Sequence, residues 1–118
     1  MLCRKRCYRN IQQGDITVEE LKNKIAQGAI LIDVRSKQEY QEGHLQGAIN
    51  IPEYELMNRV RREIPKMNQL IVTYCQYGTR SRNSYIKMKQ MGYTNIYNLY
   101  GGLDIFWKWC QVINRYKE

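Results

Sequence analysis

The sequence predicts an α/β sandwich on a mainly parallel sheet, and three features of the chain carry that expectation. Short apolar runs recur without polar alternation, as in strands covered on both faces. Each run is followed by a segment with helical start and stop signals. The connections are short, so strands and helices alternate along the chain, which puts helices on both faces of a central sheet.

Taken in order, Met1–Gly14 is basic and irregular, although Tyr8–Ile11 has the residues of a short edge strand. Thr17-Val18-Glu19-Glu20 reads as a capping box, Leu21 and Ile25 give the spacing of a helix face, and Gly28 supplies the stop. Ala29–Val34 is a first buried strand. Ser36-Lys37-Gln38-Glu39 repeats the capping box, and Gly43 ends that short helix. Ala48–Ile51 is a second buried strand, closed by Pro52, which cannot donate to a ladder. Tyr54–Arg62 is helical, with Leu56 and Val60 four apart. Gln69–Tyr74 is a third strand, Cys75–Arg80 a loop, and Ser81–Met91 a helix stopped by Gly92. Asn95–Leu99 is the last strand, and Gly101-Gly102 turn into a helix carrying Phe106, Trp107 and Trp109, which read as core. Residues 15–110 thus form the domain, between a basic segment (1–14) and a charged tail (111–118) that is expected to fray.

With 118 residues, 43% hydrophobic and 25% charged, the chain has the make-up of one soluble globular domain. Its formal charge of +8 fits either attraction of an anionic substrate or acidic partner, or a solvated basic surface. No zinc-finger spacing, RNA-binding aromatic signature or basic–aromatic stripe accompanies the charge, so neither nucleic acid nor a membrane is expected as partner. Cys3, Cys7, Cys75 and Cys110 are too irregular for a secreted disulfide framework. The basic N-terminus is followed by no apolar run, and no stretch approaches the roughly 18 residues of a membrane helix. These features suit a reducing cytoplasm, where a free thiol persists.

Ligands of open α/β sheets bind beyond the carboxyl ends of the strands, and Cys75 stands there, between a strand and a helix start. Unpartnered amides and the helix dipole favour a thiolate at that place, and Arg80 and Arg82 add positive charge. Gly78 permits a turn in which successive amides face one spot, Arg80 offers a fork of donors to an oxyanion, and Ser81 or Thr79 can cap the helix. Position alone also suits a small buried residue ending a strand. The register of Gly78, Arg80 and the helix start favours a nucleophile. His44 has no partner at ligand spacing and reads as a turn residue. Cys3 and Cys7 read as part of a loose tail, with a resolving thiol pair or a metal site as the alternatives; Cys110 reads as packing, and Lys87 and Lys89 as solvent-facing.

Leu31–Ser36 (LIDVRS) and Glu39–Pro52 (EYQEGHLQGAINIP) resemble the opening signature of rhodanese-homology domains. Cys75–Ser81 resembles their active-site loop, C-x-x-G-x-R-S, and Gly92-Tyr93 with Leu99–Leu103 resembles their closing signature. The matches run from Thr17 to Trp109 in order. This resemblance implies a three-layer α/β sandwich with a five-stranded, mostly parallel sheet. It implies thiosulfate sulfurtransferase chemistry through a cysteine persulfide, without metal or organic cofactor. Thiosulfate would be the small anionic donor, and cyanide or a thiol the acceptor. Cys75 would be the nucleophile, the amides of Gln76, Tyr77, Gly78, Thr79, Arg80 and Ser81 would hold the sulfur, and Arg80 would orient the sulfonate. Asp33 and Arg35 would be supports of the site, with Glu39 as ion-pair partner of Arg35. One domain in place of the tandem pair of many relatives implies a more open approach, and the Ile-Phe-Trp-Lys-Trp-Cys ending departs from the family tail.

Two alternatives share these features. A cysteine phosphatase or arsenate reductase would cradle a tetrahedral oxyanion, but only four residues separate Cys75 from Arg80, a loop better sized for one sulfur atom. A sulfur-relay or binding module that accepts sulfur from a partner protein would carry an identical loop.

Overall fold

Local capping chemistry starts the first two helices. The Glu20 amide donates to Thr17 Oγ1 at 3.1 Å and the Thr17 amide to the Glu20 carboxylate at 2.9 Å, which opens α1 (Val18–Ala26). Ser36 and Glu39 repeat the reciprocal pair at α2 (Lys37–Glu42). The computed structural model describes the backbone of residues 10–117 and the side chains of residues 10–111. Cys3, Cys7, Tyr8 and Arg9 lie outside the described residues, and with them half of the expected Tyr8–Ile11 strand.

Five parallel strands, β1 (Asp15–Ile16), β2 (Ile30–Asp33), β3 (Ile49–Asn50), β4 (Ile71–Tyr74) and β5 (Ile96–Leu99), lie in the order β1-β5-β4-β2-β3. Successive residues of a strand point to opposite faces. Ile32 and Ile71 therefore pack with Leu56 and Val60 of α3 (Leu56–Glu63) and Tyr85 and Met88 of α4 (Thr79–Met91). Leu31, Val72, Tyr74 and Leu99 pack on the other face with Val18 and Leu21 of α1 and Leu103 of α5 (Gly102–Lys117). Both faces are covered, which is why the strand runs lack polar alternation. Among the described residues no helix is long and apolar enough to cross a membrane.

Several boundaries differ from the sequence expectations. Asp15 and Ile16, expected outside any strand, pair with Asn98 and Leu99 as an edge strand too short to show a period. The Ala48–Ile51 run, expected as a covered strand, pairs only through half-buried Ile49 and Asn50 at the opposite edge. The helix expected from Tyr54 begins instead with a 3-10 turn, Glu53–Glu55, and becomes α-helical at Leu56. Finally, α5 runs to Lys117, through the segment expected to fray.

The centre of the sheet carries much of the packing, and Ile71 on β4 is fully buried. Ile71→Ala should lower the unfolding free energy by about 2–5 kcal/mol. The measurement is a urea titration, with a lower midpoint at unchanged slope.

Candidate active site

The active loop begins where β4 ends, and the start of α5 shapes it. The first backbone N–H groups of a helix have no partner within it. Here the amides of Leu103 and Asp104 donate to the carbonyls of Cys75 and Gln76, each at 3.0 Å. Because C=O and N–H of a trans peptide point oppositely, those bonds turn the N–H edge of these peptides away from α5. Further along, the amides of Gly78 and Ser81 donate to Cys75 Sγ at 3.1 and 3.4 Å. Among the described residues these are the amides that reach Cys75 Sγ.

Close backbone approach makes this arrangement possible. A Cβ on Gly102 would stand 2.3 Å from the Cys75 carbonyl oxygen, and one on Gly78 would stand 3.0 Å from the Gly101 nitrogen. Both glycines also have positive φ, +59° and +97°. Gly78 is itself the N-cap of α4, so Thr79 and Arg80, expected in the loop, form the first turn of that helix. No side-chain hydroxyl caps it; Ser81 Oγ donates instead to the Gly78 carbonyl at 3.2 Å.

Neighbouring strand ends brace both sides. At the end of β2, Arg35 Nε and Nη2 grip the two oxygens of Asp33 at 3.0 and 2.7 Å, and both residues are buried. Arg35 Nη2 also donates to the Gly43 carbonyl at 2.6 Å, and Nη1 lies 3.5 Å from Gln76 Oε1. Asn50 Nδ2 donates to the carbonyls of Asp33 and Arg35, each at 2.9 Å. Tyr74 Oη accepts from the Leu45 amide at 3.0 Å, and burial pushes that phenol far above its ordinary range. On the other side, Arg82 pairs with Asp15 at 2.8 Å, and Asn98 Nδ2 donates to Asp15 at 3.0 Å. Arg82 was expected only as positive charge near Cys75, and Asp15 and Asn98 had no signal in the sequence: the contacts that join them span 67 to 83 positions.

Glu39 is not the partner of Arg35, whose fork Asp33 already occupies. It faces Arg80, whose Nη1 and Nη2 donate to its Oε1 and Oε2 at 2.8 and 3.0 Å. That hydrogen bond, more than any other influence, holds the Glu39 carboxyl at a pKa of about 2, against the opposing effect of burial. The same contact raises Arg80. The guanidinium expected to be open to a sulfonate is therefore engaged by a carboxylate.

Nor is the approach to the sulfur open, since Cys75 is only 1% exposed. Beside the loop lies a cavity of about 300 Å³ lined by Arg35, Glu39, Glu42, Gly43, Gln76, Leu103 and Trp107. Trp107, expected in the core, is 46% exposed at its rim, while Phe106 and Trp109 do pack inward. Tyr77 and Thr79 point outward from the loop. A second cavity of about 600 Å³ adjoins Tyr77, Gly78 and Thr79 on the side of Asp15 and Arg82. His44 stacks on Tyr40 at 3.7 Å with Nδ1 2.8 Å from the Tyr40 carbonyl, as a turn residue would. Among the described residues no three His, Cys, Asp or Glu side chains cluster as metal ligands would.

Two outcomes test this geometry. Gly102→Ala forces the start of α5 off the Cys75 carbonyl, so it should cost about 1–3 kcal/mol of stability. Cys75 should then alkylate faster with iodoacetamide. Glu39→Gln tests the ion pair. A carboxyl held below its ordinary value of 4.5 stabilises fully above that pH, and the contribution fades as pH falls through about 2. The stability gap between native protein and variant should therefore be flat above 4.5 and close below it, as read by urea titrations across pH.

Residues 17–108 match the family described as the rhodanese-like domain. The thiosulfate sulfurtransferase PspE of Escherichia coli (strain K12) is 40% identical over 74 residues, covering 63% of this chain and 71% of the relative. The thiosulfate sulfurtransferase GlpE of Haemophilus influenzae (strain PittEE) is 28% identical over 98 residues, covering 83% and 89%. Among solved structures, the human single-domain sulfurtransferase TSTD1 superposes with a TM-score of 0.70 at 30% identity, covering 77% of this chain and 92% of that one. With the sheet order, the cysteine loop and the buried Asp33–Arg35 support in place, these likenesses make the chain a member of the rhodanese-like domain family and a rhodanese-type sulfurtransferase.

Proposed function

We propose that Cys75 carries a sulfane sulfur as a persulfide, taken from thiosulfate or a protein persulfide and passed to a thiol or cyanide. The observation that carries this reading is the pair of amide hydrogens from Gly78 and Ser81 on one buried sulfur. Hydrogen bonds to a charged acceptor are worth about 1.5–3 kcal/mol each, roughly twice the neutral kind. Two such amides aimed at Sγ fix the attacking sulfur in a polar, donor-lined turn.

The cycle is a double displacement. Cys75 thiolate attacks the outer sulfur of the donor, the donor's S–S bond breaks, and the leaving group departs with the electron pair. From thiosulfate that leaving group is sulfite; from a persulfide it is a thiolate. The acceptor then attacks the outer sulfur of the Cys75 persulfide and restores the thiolate, so that cyanide becomes thiocyanate. Gln76, Tyr77, Thr79 and Arg80 frame the loop, while Asp33, Arg35 and Glu39 hold its surroundings. The relatives named thiosulfate sulfurtransferases support the donor chemistry. Free Cys75 and Cys110 suit a reducing cytoplasm.

Incubation with thiosulfate should add the mass of one sulfur atom to the intact protein, and cyanide should remove it as thiocyanate. Cys75→Ser should lose both effects at unchanged fold. Thiocyanate formation retained by that variant would overturn the assignment.

A further inference from the structure

We propose that Glu39 is a specificity residue that sets this site against donors bearing a sulfonate and in favour of alkyl persulfides, R–S–SH. The inference rests on the persulfide cycle above and names its donor class. A sulfonate approaching the loop needs donors for its oxygens, and Arg80 is the arginine of the loop whose charge interacts with Cys75. Both of its terminal nitrogens are held by Glu39 at 2.8 and 3.0 Å. The carboxylate is in turn fixed by its capping bond to Ser36, whose amide donates to it at 3.2 Å. A thiosulfate dianion must therefore displace an anchored carboxylate or lie beside it, and like charges at such range disfavour binding.

The wall of the adjacent cavity adds to this. Its charged side chains are Arg35, Glu39 and Glu42, and their ion-pair partners are Asp33 and Arg80. Three carboxylates thus stand against two guanidinium groups, a local excess of negative charge in a chain whose total is +8. Leu103 and half-exposed Trp107 supply apolar surface beside them. A volume of about 300 Å³ admits a donor of amino-acid size. An alkyl persulfide has the apolar stem this wall accepts and no sulfonate for Glu39 to repel. Transfer from it balances simply: the Cys75 thiolate attacks the outer sulfur of R–S–SH, the S–S bond breaks, RS⁻ leaves, and Cys75–S–SH forms.

Discrimination built on a repulsive group disappears when that group is neutralised. The test compares rates of sulfur loading onto Cys75, followed by intact mass without acceptor, from thiosulfate and from freshly generated cysteine persulfide. Glu39→Gln keeps the size of the side chain and one acceptor for Arg80 but removes the charge. It should shift the thiosulfate-to-persulfide ratio of loading rates toward thiosulfate by about tenfold, through tighter thiosulfate binding. Glu39→Asp, which keeps the charge, should retain the native ratio even if both rates fall. An unchanged ratio in Glu39→Gln, or parallel loss with both donors, would overturn the proposal and leave Glu39 as a clamp alone. Absence of loading from either donor in the native protein would instead sink the persulfide cycle itself.

Discussion

Everything at this site depends on which way two peptide groups face. The carbonyls of Cys75 and Gln76 are drawn to the unpartnered first-turn amides of α5, and the loop that follows closes its own amides on Cys75 Sγ. One helix N-terminus orients the strand-side half of the loop, and a second, that of α4, supplies donors to the sulfur. Neither bond could form with a side chain at Gly102, whose Cβ would overlap the Cys75 carbonyl. The Leu99–Leu103 segment is thus chemically part of the site, although nothing in it reacts.

Charge pairing follows from burial. Arg35 and Asp33 are both out of water, and removing one partner of such a pair leaves the other uncompensated at about 3–5 kcal/mol. Arg35 is therefore committed to Asp33 and carries its remaining donors to Gly43 and Gln76. That commitment leaves Glu39 to Arg80. These two groups sit at intermediate exposure, where an ion pair gains less and is screened by salt. The Glu39–Arg80 pair is thus the more easily exchanged of the two.

Much of this was legible in the sequence because it is written locally. Capping boxes at Thr17 and Ser36, the apolar runs of β2 and β4, and a cysteine loop running into a helix all lie within a few residues of their causes. What escaped notice is non-local or too short to carry a period. β1 has two residues, and its Asp15 meets Arg82 across 67 positions. The choice between Arg35 and Arg80 as partner of Glu39 turns on three-dimensional competition for Asp33. Trp107 reads as core because its neighbours Phe106 and Trp109 are, yet it falls on the half-exposed side of α5 at the cavity rim.

Total charge proved a poor guide to the chemistry of the mouth. A net +8 sets the far field and steers encounters over a range limited by a Debye length of about 8–10 Å. At contact, the donor instead meets the particular groups that line its path. For a donor that enters by the cavity beside the loop, those groups would be Glu39 and Glu42 with an arginine already matched by Asp33, beside an indole and a leucine. The surface that draws an anion toward the molecule and the cavity wall beside the loop can therefore differ in sign. In that case the wall decides, because its interactions persist in the transition state after the long-range field has brought the partners together.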